Sequence, residues 1–383
     1  MEKAFDEIKQ VAAQDDQTRR STITALRDLA NSLETTNDTI HRYGHMNLQT
    51  ATVKIGIDLG LFKLLAQSSS PLSVEELSQK LGTDPVLANR IIRFLTSIGA
   101  VHEAGRNQFT ANHVTKNLSE NLAEAGLSHY FGTASPMYQT LPAFLKKTEY
   151  KDPADELNTS FQDAFNTDLP VFPWFASHPG HLAPFNDYMR LRRKPDVSWL
   201  TVYPVADEIK DWSPEKAIFV NIGGGVGHQC AEFKQKFPDA PGKVILQDLP
   251  ASIAKALPTP GVDNTVHNFF EPQPVKGAKF YHLRGVLHNH PPHKVRKLLE
   301  NTKSAMTEDS VILIDEMIFP ESGVHYDAAS IDVTMLTAFA SMERTEAQWR
   351  KTLADVGLEL VKTYTYNPVS YESVMDVRLP KSS

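Results

Sequence analysis

From about residue 215 the sequence alternates short β-branched runs with helical segments, and few folds accept that rhythm. "AIFVNIG" reads as a strand and "HQCAEFKQKF" as a helix; "KVILQD" and "ASIAKAL" repeat the pair. "KFYHLRGVL" and "SVILIDEM" are further strands, separated by the helix "PPHKVRKLLENTKSAM". Strands apolar along their whole length are buried on both faces, and helical crossovers make them parallel. The final pair, "LELVKTYTY" and "YESVMDVRL", flanks an Asn-Pro turn and reads as an antiparallel hairpin closing the sheet. The expected class is α/β.

The N-terminal half follows a different grammar. Residues 1 to about 40 form amphipathic helix, with Ile23, Leu26, Leu29 and Leu33 three or four apart. "NLQTATVKIGIDLGLFKLLA" is apolar nearly all round, so that helix is buried in a core or against a partner chain. Ser73 and Glu76 form a capping box, Gly82 ends a helix, and Asp84-Pro85 starts another. A hairpin around Gly105 follows, completing a winged-helix pattern. Between Pro71 and Thr110, four basic residues (Lys80, Arg90, Arg93, Arg106) face four acids (Glu75, Glu76, Asp84, Glu103). A DNA-reading helix needs a basic face, so this module is structural. Residues 119–200 are rich in aromatics, proline and methionine, suited to core helices or an apolar pocket wall. The expected division is 1–118, 119–200 and 201–383.

Bulk properties narrow the function. The formal charge of −7 disfavours a nucleic-acid partner. The single cysteine, Cys230, excludes an intrachain disulfide and suits a reducing compartment. No apolar run is long enough to span a bilayer, and "MEKAFDEIKQ" lacks a signal peptide's core. A cytoplasmic protein with neither membrane nor nucleic-acid partner is expected.

"NIGGGVGHQ" links the first strand to its helix. Gly223, Gly225 and Gly227 give G-x-G-x-G; His228 occupies the next position, so the dinucleotide spacing is absent. Glycines still let backbone approach a ligand closely. Asp248, 21 positions beyond Gly227 at the end of the second strand, is placed to hold ribose hydroxyls. A nucleoside bound without pyrophosphate suggests S-adenosylmethionine (SAM).

"GGGVGH", "LQDLP", "PQPVKGAKFYHLRGVLH", "LIDEM" and "ERTEAQW", in that order, resemble fungal and plant SAM-dependent O-methyltransferases of the metal-independent, phenol-methylating kind. The resemblance runs from about residue 45 to the end. It implies a winged-helix dimerisation domain, hence a homodimer, before a Rossmann-like SAM-binding domain. It also implies site roles. Asp248 would hold the cofactor ribose, Asn268 and Phe269 would lie beside the adenine, and Arg284 would be a basic cofactor contact. His288 would be the general base, with Glu316 and Glu343 orienting it, and Met189 would lie near the reacting methyl group. Phe175 falls in the aromatic segment that would line the substrate pocket.

Such chemistry suits these residue types. Methyl transfer from a sulfonium is an in-line displacement governed by alignment and desolvation. A histidine with reference pKa near ~6.5 takes the proton of a positioned phenol, and a carboxylate fixes its tautomer. The three histidines of "VLHNHPPH" are irregularly spaced and far from Cys230, so no metal is expected. Asn289 also reads as a simple N-cap for the next helix. The resemblance departs at three points: Asn221, Asn268 and Asn289 stand where the family usually has Asp. Losing the acid beside His288 would lower the imidazole pKa. Some fungal proteins of this fold are SAM-dependent pericyclases that move no methyl. In that reading His129, Arg190 or Arg192, and His288 donate hydrogen bonds to a substrate carbonyl, with Asn289 beside them. The leading expectation is an O-methyltransferase acting on a phenolic or enolic hydroxyl of a secondary metabolite. A pericyclase is the alternative, and a catalytically silent regulatory homologue the third.

Overall fold

The computed structural model describes residues 2–192 and 197–381. The chain divides into two compact units, 1–136 with 172–193, and 137–171 with 194–383. The segment 119–200 is therefore shared between them.

In the first unit, the expected N-terminal amphipathic helix is three helices, Glu2–Ala12, Asp16–Ser32 and Thr36–Gly44. Asp15 and Thr35 cap the second and third through their side chains. None of their residues is buried, and Leu29 and Leu33 are 58% and 76% exposed. The apolar stretch 47–66 is likewise not one buried helix. It breaks at Gly60, whose φ of 71° suits glycine, into Met46–Asp58 and Leu61–Gln67. Leu61, Phe62 and Leu65 enter the core, whereas Leu48 and Ile55 stay exposed on this chain.

The winged helix forms as its punctuation predicts. Strand β1 (Leu72–Ser73) leads into helix Val74–Leu81, where the Ser73–Glu76 capping box is present and Gly82 closes at φ 64°. Asp84 accepts from the N–H groups of Val86 and Leu87 to start helix Pro85–Ser97. Strands β2 (His102–Gly105) and β3 (Gln108–Thr110) make the wing, in the order β1-β3-β2. Leu77, Leu95 and Phe109 are fully buried at its centre. Each such side chain contributes ~1.5–3 kcal/mol.

The second unit holds the large sheet. Its strands are β4 (Ala217–Ile222), β5 (Lys243–Asp248), β6 (Val262–Val266), β7 (Phe280–Arg284), β8 (Val311–Phe319), the two-residue β9 (Arg344–Thr345), β10 (Glu359–Asn367) and β11 (Glu372–Arg378). The order is β10-β11-β8-β7-β4-β5-β6, with β9 pairing with the end of β8. Strands β4 to β8 are parallel, and the β10–β11 hairpin pairs antiparallel with β8. All six residues of β4 and the first six of β8 are buried, which is why both runs are apolar apart from Asn221, Asp315 and Glu316. Strand β4 lies between β5 and β7, so crossovers leave it in opposite directions and open a crevice at its C-terminal end. Among the described residues, no helix is long and apolar enough to cross a membrane.

Candidate active site

The glycine loop opens at that crevice. Gly223, Gly225 and Gly227 have φ of 64°, 61° and 93°, the left-handed region. Gly224 is required for another reason: a Cβ there would lie 2.3 Å from Asn221 Nδ2 and 2.6 Å from Leu246. The sequence reading did not single it out, because a run of glycines hides which one is demanded by space. The Gly225 N–H donates to Asp248 Oδ2 at 2.8 Å, and the Leu249 N–H donates to Oδ1 at 2.7 Å. Asp248 thus ties the loop to β5 while staying partly exposed.

Phe269 and Phe270 meet edge-to-face at 4.8 Å, and a Cβ on Gly223 would touch Phe269 at 3.3 Å. That contact brings the aromatic candidate to the glycine loop. Asn268 accepts from the Phe270 N–H at 3.1 Å, so its side chain shapes its own turn. Arg284 is occupied differently from a free cofactor contact: Nη1 donates to Asp315 Oδ2 at 3.2 Å and Nη2 to Glu372 at 3.5 Å. His282, fully buried, lies between Asn221 (3.4 Å from Nδ1) and Asp315 (3.4 Å from Nε2). Burial holds its pKa below the ordinary value.

His288 sits in a one-turn helix, Leu287–Asn289, just past β7. Its Nδ1 is 2.7 Å from Glu343 Oε1, and the Glu343 side chain is 1% exposed. An ionised carboxylate accepts only, so Nδ1–H donates, and in the neutral ring the lone pair is then on Nε2. That is the tautomer a general base needs. Glu343 is itself held, its N–H donating to Asp332 Oδ1 at 2.7 Å. Glu316 does a different job. Its Oε1 accepts from the N–H groups of Val286 (3.1 Å), Leu287 (2.8 Å) and His288 (3.4 Å), while Oε2 is 4.0 Å from His288 Nδ1. Burial pushes the Glu316 carboxyl up to about 7, with His288 opposing and Glu343 adding to the rise. One glutamate orients the imidazole; the other pins the loop that carries it.

One donor atom from each of His288, Glu316 and Glu343 lies within 4.8 Å of the others, a grouping whose donor types suit a cation. Glu343 takes the imidazole N–H and Glu316 takes three backbone N–H groups, so we assign no metal to them. Asn289 is not the N-cap that its position allowed. Its Nδ2 donates to the Gly285 carbonyl at 2.9 Å, and Pro291 is the N-cap of helix Pro292–Lys303. His290 lies edge-on to Phe269 and Phe270, with Nδ1 3.8 Å from Glu156, which Lys294 also pairs.

The remaining candidates lie in the first unit. His129 is surrounded by the rings of Tyr130, Phe175, Phe185 and Tyr188, with centroids 5.3–6.5 Å away. Burial lowers its pKa to about 4, and its Nδ1 has no hydrogen-bond partner among the described residues. Phe175 is 2% exposed within this cluster. Met189 follows Tyr188 on helix Pro179–Leu191, and Arg190 is exposed and paired with Asp187 at 2.9 Å.

Comparison with known proteins gives the family. Residues 155–359 match the family model for an O-methyltransferase domain, and residues 42–122 that for an O-methyltransferase dimerisation domain. The chain is 41% identical to O-methyltransferase lepI of Aspergillus flavus, over 94% of each chain. It is 37% identical to demethylsterigmatocystin 6-O-methyltransferase of Aspergillus parasiticus, over 100% of this chain and 98% of that one. Among solved structures, "A Pericyclic Reaction enzyme" and LepI in complex with SAM each align with TM-score 0.88 and 39% identity, over 98% of both chains. With its catalytic region matched over more than half the sequence and relatives covering nearly all of it, the chain belongs to the SAM-dependent O-methyltransferase family.

Proposed function

We propose that the protein is a SAM-dependent O-methyltransferase acting on a phenolic or enolic hydroxyl of a secondary metabolite. The observation that carries this reading is the 2.7 Å contact between His288 Nδ1 and the buried Glu343 carboxylate. The glycine loop and Asp248 fit a nucleoside: left-handed glycines leave no side chain over the loop, and a partly exposed carboxylate lies at its edge. Gly223, Gly225, Gly227, Asp248, Asn268 and Phe269 would hold SAM, with Arg284 fixing the strand end nearby. When bound, SAM supplies the electrophilic methyl group. His288 Nε2 takes the acceptor hydroxyl proton, Glu343 stabilises the imidazolium so formed, and Glu316 keeps the loop from drifting. Phe175 and, by the family resemblance, Met189 are further substrate-binding candidates, with His129 and Arg190 joining them in the pericyclase reading.

A second reading has its own support. The 41% likeness to lepI and the alignment with a pericyclic reaction enzyme favour a SAM-binding pericyclase. The amides at Asn221, Asn268 and Asn289 are compatible with it. Incubation with methyl-labelled SAM and a panel of phenols and hydroxypyridones separates the two. Label in product with release of S-adenosylhomocysteine supports methyl transfer; a rearranged product without label supports the alternative.

The working form proposed is a homodimer through the N-terminal unit. The dimerisation-domain match and the exposed Leu29, Leu33, Leu48 and Ile55 support it. Light scattering should give twice the chain mass, and Leu29→Glu with Leu33→Glu should lower it; a wild-type monomer would refute it.

A further inference from the structure

Residues 151–159 carry neither helix nor strand, yet Glu156 within them is held in place. Gln162, buried on helix Ser160–Phe165, donates through Nε2 to the Glu156 carbonyl at 3.1 Å, and its Oε1 accepts from the Thr159 N–H at 2.9 Å. The Glu156 side chain, mostly buried, pairs with Lys294 Nζ, and its Oε2 lies 3.8 Å from His290 Nδ1. Both partners follow the base in sequence. His290 comes two positions after His288, and Lys294 lies in the first turn of helix Pro292–Lys303.

These two partners bear on the same pair of rings. The Lys294 ammonium lies 5.2 Å from the centroid of the Phe270 ring, and His290 meets Phe269 and Phe270 edge-on at 5.5 and 5.1 Å. The backbone nearby is already fixed: Ser341 Oγ donates to the His290 carbonyl at 2.7 Å, and Asn301 Nδ2 donates to the Phe269 carbonyl at 3.2 Å. What those bonds leave free is rotation of the phenyl rings, which are only partly buried. Phe269 reaches the glycine loop, where a Cβ on Gly223 would be 3.3 Å from it. An aromatic surface offered to a flat base loses affinity if its rings turn, because they must then be ordered at binding. A cation over one ring and an imidazole against both restrict that motion. Without the Glu156 carboxylate, the long Lys294 chain is free to turn its ammonium to water.

We propose that Glu156 is a positioning residue that, through Lys294 and His290, fixes the Phe269–Phe270 pair as one wall of the adenine pocket. This rests on the reading that SAM binds against Phe269. The test is a double-mutant cycle on SAM affinity, measured by calorimetry with the full-length protein and no acceptor. Glu156→Gln removes the charge and keeps the shape, and the dissociation constant for SAM should rise about fivefold. In a Phe270→Leu background, which lacks the ring beside Lys294, the same substitution should change it by less than about twofold. A segment whose only role is to stabilise the fold would weaken binding equally in both backgrounds. That additive result overturns the proposal, as does a Glu156→Gln protein that binds SAM like wild type. Lys294→Met takes the place of Glu156→Gln in the cycle should that variant not fold, with the same outcomes expected and the same ones excluded. Wild type that binds no SAM would overturn both this proposal and the SAM-dependent function, whereas binding without coupling overturns the role of Glu156 alone.

Discussion

Replacing Glu316 with glutamine should make the protein more stable at pH 8 relative to wild type, although it alters a residue at the heart of the site. The wild-type carboxyl is buried, and its pKa is raised from 4.5 to about 7. Below pH ~4.5 the group is protonated in both folded and unfolded chains and costs nothing. Between ~4.5 and ~7 the folded state holds a proton that the unfolded state has released, so stability falls as pH rises. Above ~7 both states are ionised and the loss levels off. At 1.36 kcal/mol per pH unit the total is about 3 kcal/mol. Glutamine has no proton to lose, yet its carbonyl oxygen can still accept from the N–H groups of Val286, Leu287 and His288. The stability of wild type minus variant should therefore drop by about 3 kcal/mol from pH 4.5 to pH 8. Equilibrium urea unfolding across that range measures it, and groups common to both proteins cancel in the difference. A flat difference would show that Glu316 is not carrying a proton in the fold. A reversed slope would show that it is ionised and stabilised by His288, and the assignment of roles to the two glutamates would fail.

Three further outcomes follow from the site. Glu343→Gln keeps a hydrogen-bond partner for His288 Nδ1 but removes the charge that stabilises the imidazolium, so kcat should fall by roughly 10²-fold or more with little change in SAM affinity. Gly224→Ala should abolish SAM binding by calorimetry, because its methyl would collide with Asn221 and Leu246, whereas Gly44→Ala, with nothing within 4 Å, should bind normally. Asp248→Asn can still accept the Gly225 N–H, so the loop should keep its fold while the dissociation constant for SAM rises about tenfold or more.

What could be read in advance was what short-range chemistry determines. The caps at Ser73 and Asp84, the stops at Gly82 and the apolar strands β4, β5, β7 and β8 all follow from local preference or full burial. Strand β6, "VDNTV", was missed because Asp263 and Asn264 disfavour strands and only pairing with β5 makes one. The break at Gly60 was hidden within apolar flanks, where periodicity cannot distinguish one helix from two. His288, Glu316 and Glu343 were legible as a group through motif order. Their division of labour was not, since it depends on which carboxylate reaches Nδ1 across three separate elements. Asn289 had two hydrogen-bonding options by position, and the turn back to Gly285 won.

The central claim is that His288, oriented by Glu343, deprotonates an acceptor hydroxyl for methyl transfer. Single-turnover incubation with methyl-labelled SAM and the physiological acceptor, in wild type and His288→Gln, tests it directly. Stoichiometric transfer of label with S-adenosylhomocysteine release in wild type, falling by roughly 10²–10⁴-fold in the variant at unchanged SAM binding, is the predicted result. Conversion of substrate with SAM retained intact, or full transfer by His288→Gln, would contradict it.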